Sequence, residues 1–576
     1  MKIGRRTILG LSVAGASTAL VQVYGGGLWK LSPTTVGGAA EATILPKIPI
    51  GMNLAEVADY EVGFPFKNLF WGARPWMTQS SESGGQWDTG KISEFEFDED
   101  GYPLEVPVTV SAKRLPHIPF TLIPNVRPAG RYVILFDGEG EFAGKMGTSI
   151  VSSQPGRIVI KMTNRAGLVE GLVLKRSKRG NHIRNIRVLA LEHEKADLAA
   201  NPFLDEFLDF CRPFHCIRFM EWAKTNGSLE EAWPGRKRET FYTMVGTSGD
   251  ADGLFGPKVD EFSKKFSGGV AIEIMIQLAN QLMIDPWFCM PHRATEEYIR
   301  EYARLVKSKL DPRLKVYLEY SNEVWNFSFL QSAFMLSSQL AGNSVEQAGG
   351  KAWENADKTK GSSHPERIAA LFRHTFEIWE KEWSGQDRSR LVRVCAVQAG
   401  WLDAAKRTVK WCGANGGADA VSPTAYFGPW DRHYERWAEK GAALTAEEVI
   451  TDMQEVVLRQ GQGNAMVELA SYAKSLGMSY ISYEGGQHIQ PKNHGVVPYN
   501  NALGAVQSHP AMYDLYVENL RQQLRYGSKL VCAFTSVGAQ GTRWGSWGHK
   551  ASYDEPLSRA HKMRALLDCN AEKTLR

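Results

Sequence analysis

From about Pro202 to the C-terminus, short apolar runs alternate with amphipathic stretches of helical period. "NPFLDEFLDFC" places Asn201 as a cap and Pro202 at the first helical position. A strand-like "HCIRFMEW" follows, then helix-like "GGVAIEIMIQLANQLM" and a short "DPWFCMPH". In "TEEYIREYARLVKSKL" the residues Tyr298, Tyr302, Leu305 and Val306 share one face, which predicts a helix packed on a sheet. The apolar "VYLEY" comes next, before "PERIAALFRHTFEIWEKEW" and "LVRVCAVQAGW". "LDAAKRTVKWC" leads to "ADAVSPTAYFG", and Thr445 with Glu448 opens the next helix as a capping box. "AMVELASYAKSLG", "MSYISYEGGQH", "HPAMYDLYVENLRQQLRYG", "KLVCAFTSVG" and "PLSRAHKMRALLDC" complete the alternation. That gives seven strands, and "IPIGMN" at 48–53 supplies an eighth upstream. Eight such units predict an α/β fold, a (β/α)8 TIM barrel. An open doubly wound sheet is disfavoured, because no glycine-rich phosphate turn follows the first strand.

The pattern breaks between Trp87 and Leu191. "SEFEFD", "LEVPVTVS", "GRYVILFDGEG", "GRIVIKMTN" and "IRNIRVLALE" have period two or are rich in β-formers, with Gly, Asp and Pro between them. An all-β sandwich inserted after the first barrel strand is expected, serving either as a sugar-binding module or as a structural flap. The boundaries read as barrel start at 43–86, insert at 87–195 and remainder of the barrel at 196–576.

Residues 1–42 have a different character. A basic start with paired Arg5 and Arg6, a mildly apolar run rich in Gly, Ala and Ser, and small residues at "AAEAT" read as a twin-arginine-type export signal, cleaved after Ala42. An uncleaved membrane anchor is the alternative. Loss of this segment removes a net +3 of the formal +4 and leaves +1, so no stable membrane association is expected afterwards. The expected location is periplasmic or secreted. With no basic stripe, nucleic acid is not an expected partner. The seven cysteines contain no CxxC pair, and Cys289, Cys395 and Cys532 lie in apolar strands. They predict reduced core thiols, with no disulfide framework, metal site or cofactor. "DEFLDFCRPFH" matches no zinc spacing and fits a helix face.

Active sites of such barrels form at the carboxyl ends of the strands. The second strand presents Arg218 and then Glu221, the third His292, the fourth Asn322 and Glu323, the sixth Tyr426, the seventh Glu484, and the eighth Trp544 and Trp547. Trp71 and Trp76 follow the first strand as candidate sugar-stacking rings, with core packing as the alternative. The fourth and seventh strands face each other across an eight-stranded barrel. Two glutamates meeting there satisfy the chemistry of glycosidic bond cleavage, in which one carboxyl protonates the leaving oxygen and the other attacks the anomeric carbon or activates water.

This arrangement resembles glycoside hydrolase clan A, the barrel superfamily that includes the family 5 cellulases and mannanases. The resemblance covers roughly 45–75 and 200–570, not the insert. It implies Glu323 as acid/base, following Asn322, and Glu484 as nucleophile. It also places Arg218, His292, Tyr426 and Trp544 or Trp547 as substrate-binding or supporting residues. "LEYSNEVWN" is similar as well to bacterial proteins loosely described as cellulose-binding. Family 5 members often carry His-x-Tyr on the sixth strand, whereas Thr424 stands here in "SPTAYFG". The expectation is an exported retaining glycoside hydrolase acting on β-linked glycans such as cellulose-like β-glucans, in polysaccharide degradation. Glu323 would be protonated at rest and Glu484 ionised, with Glu221 as the rival carboxylate. A non-catalytic carbohydrate-binding barrel and a transglycosylase using the same glutamates are the alternatives.

Overall fold

The computed structural model describes residues 44–573, except 81–85, 111–114, 126–127, 164–168, 252, 254–257, 337–363, 415–416 and 461–463. The segment read as an export signal lies outside them.

Eight strands form one parallel sheet: β1 (Ile50–Asn53), β2 (Cys216–Arg218), β3 (Asp285–Met290), β4 (Val316–Tyr320), β5 (Leu391–Ala396), β6 (Ala420–Ser422), β7 (Ser479–Tyr480) and β8 (Val531–Ala533). Neighbours follow chain order from β1 to β7, and β1 also pairs with β8. Just past β7, Ser482 bridges Val531 of β8 in parallel. The Ser482 N–H donates to the Leu530 carbonyl at 2.9 Å, and the Cys532 N–H donates back to the Ser482 carbonyl at 2.9 Å. The sheet therefore curls until its edges touch, a TIM-like form. Its strands read as continuous apolar runs because both faces are covered, and all of β3 is buried.

The helix Glu296–Lys309 is started by Thr295, whose hydroxyl accepts the Tyr298 N–H, and it buries Tyr298, Tyr302 and Val306 against the sheet. Thr445 and Glu448 exchange the two bonds of a capping box, at 3.2 and 3.1 Å. One helix start differs from the sequence reading. Asn201 caps only the Phe203 N–H, and the helix begins at Asp205. Phe203 is drawn into an antiparallel bridge with Phe66, which holds 202–203 extended.

Between β1 and β2 stand two antiparallel sheets. One contains Met77–Ser80, Val108–Val110, Leu115–Ile123, Gly140–Met146 and Glu170–Ser177; the other contains Gly130–Asp137, Thr148–Gln154, Arg157–Met162 and Arg184–Ala190. The first strand begins at Met77, ahead of the boundary expected near Trp87. Phe136 of one sheet meets Phe142 of the other with centroids 5.3 Å apart. The buried residues here continue into the barrel's core through Phe70, Trp76 and Tyr242. All seven cysteines are buried thiols. Among the described residues, no helix is long and apolar enough to cross a membrane.

Candidate active site

Arg218, the last residue of β2, is completely buried, so its charge must be neutralised within the protein. Its guanidinium donates to both oxygens of Glu319, at 3.0 and 3.1 Å, to Asn53 Oδ1 at 3.0 Å and to Asn322 Oδ1 at 2.8 Å. It also donates to Glu484 Oε1 at 2.8 Å. One planar cation thus ties together the ends of β1 and β4 and the segments following β4 and β7. Tyr483 and Trp287 flank it, with ring centroids 5.0 and 5.7 Å from the guanidinium carbon. Glu319 takes a further bond from Trp287 Nε1 at 2.8 Å.

Glu484 is 5% exposed, not the solvent-exposed turn residue that a Gly-Gly sequence allows. The turn after it is built by close approach. A Cβ on Gly485 would lie 2.8 Å from Ala425 Cβ, and Gly486 has φ of +127°. This lets Gly485–Gln487 pair in parallel with Ala425–Phe427 beyond the main sheet. The pairing sets Tyr426 Oη 3.0 Å from Glu484 Oε2, which accepts its hydrogen.

Glu323 sits on a different kind of backbone. Ser321 and Glu323 have φ of +55° and +42°, in the left-handed region that side chains with a Cβ rarely adopt. Strain of this kind persists only where neighbours hold it. Asn326 Nδ2 donates to Glu323 Oε2 at 3.0 Å and Tyr483 Oη to Oε1 at 2.9 Å. Glu323 is 2% exposed. Asn322 gives Nδ2 to Asn226 Oδ1 at 3.0 Å while its Oδ1 receives Arg218.

The electrostatics follow from one cation among three buried carboxyls. Burial pushes Glu484 from its ordinary value near 4.5 up to about 8; Glu323's charge adds to the rise, while Arg218 and Tyr426 oppose it. Burial also raises Glu319, against the pull of Arg218 and Trp287. Two carboxyls that oppose each other's ionisation titrate as a pair, and here the pair retains a proton near neutrality.

The structure thus brings Arg218, Asn322, Glu323, Tyr426 and Glu484 together. It adds Asn53, Glu319 and Tyr483, which the sequence reading missed. The visible signal for Glu319 was an acid in the interior of the apolar "VYLEY". The Arg218 guanidinium is paired with Glu319 and Glu484.

His292 lies beyond β3, 6% exposed, and its Nδ1 has no partner among the described residues. Burial and Arg293 push its imidazole down to about 3, so it is neutral at physiological pH. Its backbone carbonyl accepts Tyr320 Oη at 2.9 Å. Trp547 reaches Tyr426 through His488, with centroid steps of 6.0 and 5.3 Å. Trp544 is half exposed and stands against His494 and Arg543. Trp71 is partly buried, edge-on to Phe66. Trp76 is a correction: it is 2% exposed, stacked on Tyr242, and its N–H is used on the Gly101 carbonyl at 3.1 Å, which leaves no ring face for a sugar. Glu221 belongs to a separate group with Glu56, Glu61 and Lys224. Burial and the Glu56 charge push Glu221 up to about 7, and Lys224 pairs with Glu56. Among the described residues, no group of three or more His, Cys, Asp or Glu side chains is placed to hold a metal ion.

No protein-family profile and no curated protein matches this sequence. Among solved structures, similarity is found to a GH1 β-glucosidase from the fungus Humicola insolens in complex with glucose, at 10% identity, covering 64% of this chain and 87% of that one, with a TM-score of 0.31. The virulence factor SghA with its substrate analogue salicin gives 11% identity, 63% and 84% coverage and a TM-score of 0.29. A double mutant of a Trichoderma harzianum β-glucosidase gives 11%, 64% and 87%, and 0.25. Likeness at this level leaves family and substrate to be argued from the site itself.

Proposed function

We propose that this protein is a retaining glycoside hydrolase of β-linked glycans, related to clan A and family 5-like, with cellulose-like β-glucans as the leading substrate class. The observation that carries the reading is the pair of buried, mutually opposing carboxyls after β4 and β7, with Arg218 and Tyr426 donating to Glu484. The pair's proton belongs on Glu323. Arg218 has only hydrogens to offer, so it favours a carboxylate at Glu484. The Tyr483 hydroxyl can rotate to accept a hydrogen from Glu323 Oε1.

The reaction then runs in two displacements. The Glu484 carboxylate attacks the anomeric carbon as the bond to the leaving oxygen breaks, and the Glu323 proton passes to that oxygen. Water next attacks the same carbon and gives its proton to Glu323, and Glu484 is released. The second Nδ2 hydrogen of Asn322 is available for the sugar 2-hydroxyl, a bond that strengthens as charge develops at the ring. We further propose that residues 1–42 export the chain through the twin-arginine route.

The test is a panel of β-linked polysaccharides and aryl glycosides with products followed by NMR. The β-anomer should appear first and mutarotate afterwards. An α-anomer appearing first contradicts the double displacement. Transfer to a sugar acceptor with no hydrolysis when water is the sole acceptor would identify a transglycosylase using the same two groups.

A further inference from the structure

Asn322 stands between Ser321 and Glu323, the two left-handed residues after β4, and both its backbone and its side chain are held from outside the turn. Its carbonyl accepts Gln331 Nε2 at 2.7 Å. The same Nε2 donates to Asn226 Oδ1 at 2.7 Å, the oxygen that also takes Asn322 Nδ2 at 3.0 Å. Gln331 Oε1 accepts the Gly227 N–H at 3.1 Å. Gln331 lies in the first turn of the helix Leu330–Leu336 and is completely buried, while Asn226 and Gly227 follow β2.

The direction of each amide in this network is forced. Arg218 can only donate, so Asn322 turns Oδ1 toward it and Nδ2 toward Asn226. A backbone carbonyl can only accept and a backbone N–H can only donate, so Gln331 gives Nε2 to Asn322 and Oε1 to Gly227. Asn226 is left to accept from both amides, and its own Nδ2 faces Met220 Sδ at 3.7 Å. The segment presenting Asn226 is itself tightly folded. Thr225 returns its N–H and its hydroxyl to the Met220 carbonyl, at 3.1 and 2.8 Å. Gly227 has φ of +61°, and a Cβ there would meet Leu330 at 2.9 Å.

A helix after β4 and a loop after β2 thus grip the residue between two strained ones. Left-handed backbone at residues with a Cβ persists only where neighbours over-determine it. Glu323 is the next residue along, so the placement of its carboxyl between Tyr483 and Asn326 depends on that grip.

We propose that Gln331, acting with Asn226, is the positioning residue for the Glu323 carboxyl: it fixes the Ser321–Glu323 turn and so aims the proton at the departing oxygen. This rests on the hydrolase reading for the role of Glu323. A misplaced general acid costs most where the leaving oxygen most needs a proton.

The test uses the full chain with Gln331→Met, which keeps an unbranched shape and loses both polar ends. Asn226→Ala, at a half-buried position, carries the test where Gln331→Met does not fold. For each, kcat/KM is measured on the dinitrophenyl and the unsubstituted phenyl glycoside of a sugar that the wild type cleaves. Gln331→Met should lose about tenfold more on the phenyl glycoside than on the dinitrophenyl one, and Asn226→Ala several-fold more. Crystal structures of the variants should show the Ser321–Glu323 turn displaced and the Glu323 carboxyl drawn away from Tyr483 or Asn326. Equal losses on the two glycosides, as a general weakening of the fold gives, or a turn that stays in place would overturn the positioning role. A displaced turn in variants of a protein whose wild type cleaves no β-glycoside would overturn the hydrolase reading and leave Gln331 as the residue that sets the turn.

Discussion

Glu323→Gln should lower the rate on a natural β-linkage by about 10²–10⁴, the range expected for removal of a general acid. The size of the loss depends on how much the leaving oxygen needs a proton. A sugar alcohol is a poor leaving group unprotonated; dinitrophenolate leaves without help. With a dinitrophenyl glycoside, formation of the glycosyl-enzyme should be largely spared, and its breakdown should be slow because Glu323 also takes the proton of the incoming water. Stopped-flow absorbance should show a burst followed by a slow steady phase, and azide should speed the second phase. Equal suppression of both substrates by Glu323→Gln, with the leaving-group signature appearing in Glu221→Gln instead, would assign the acid to the neighbouring carboxylate group.

Arg218→Met should destabilise the fold by about 3–5 kcal/mol at pH 8, because it strips the partner from carboxylates that remain buried. Glu319 is wholly buried and bonded through both oxygens to that guanidinium. The sign of the pH dependence follows from the carboxyls. Their folded pKa values already lie above the ordinary 4.5, raised by burial, and loss of Arg218 raises them further. A raised folded pKa contributes stability that is full below the unfolded value and is lost as pH rises through the folded one. The deficit of Arg218→Met against wild type should therefore be small near pH 4.5 and grow toward pH 8 and above. Thermal unfolding across that range measures it. Adding Glu319→Gln to Arg218→Met should recover part of the loss at pH 8. A deficit independent of pH would mean that packing, not stranded charge, is what Arg218 provides.

The curled sheet was legible because its strands are covered on both faces and read as short apolar runs, while the helices between them keep one apolar stripe. Where a segment was pulled from its local preference by a distant partner, the reading slipped. Phe203, bridged to Phe66, delays the helix that Asn201 and Pro202 announce. The site was legible as a set of strand ends, since Arg218, Asn322, Glu323, Tyr426 and Glu484 are all polar residues closing apolar runs. It was illegible one layer deeper. Asn53 and Glu319 lie within strands, and nothing in their neighbours tells which faces the barrel interior. Tyr483 looks like another buried strand residue until its hydroxyl is seen on Glu323. Trp76 failed for the opposite reason: a position just after a strand does not say which way the ring turns, and this one turns into the core under Tyr242.

The most direct test is covalent capture of the nucleophile. A 2-deoxy-2-fluoro β-glycoside with a dinitrophenolate leaving group forms a glycosyl-enzyme that breaks down slowly, because the fluorine weakens the charge developed in both steps. Intact-protein mass spectrometry followed by peptide mapping reads where it sits. The account predicts one fluoroglycosyl unit per chain, on the peptide carrying Glu484, absent from Glu484→Gln and formed in Glu323→Gln. A label on Glu221 or Glu319, or no label on a protein that turns over the corresponding unfluorinated glycoside, would contradict it.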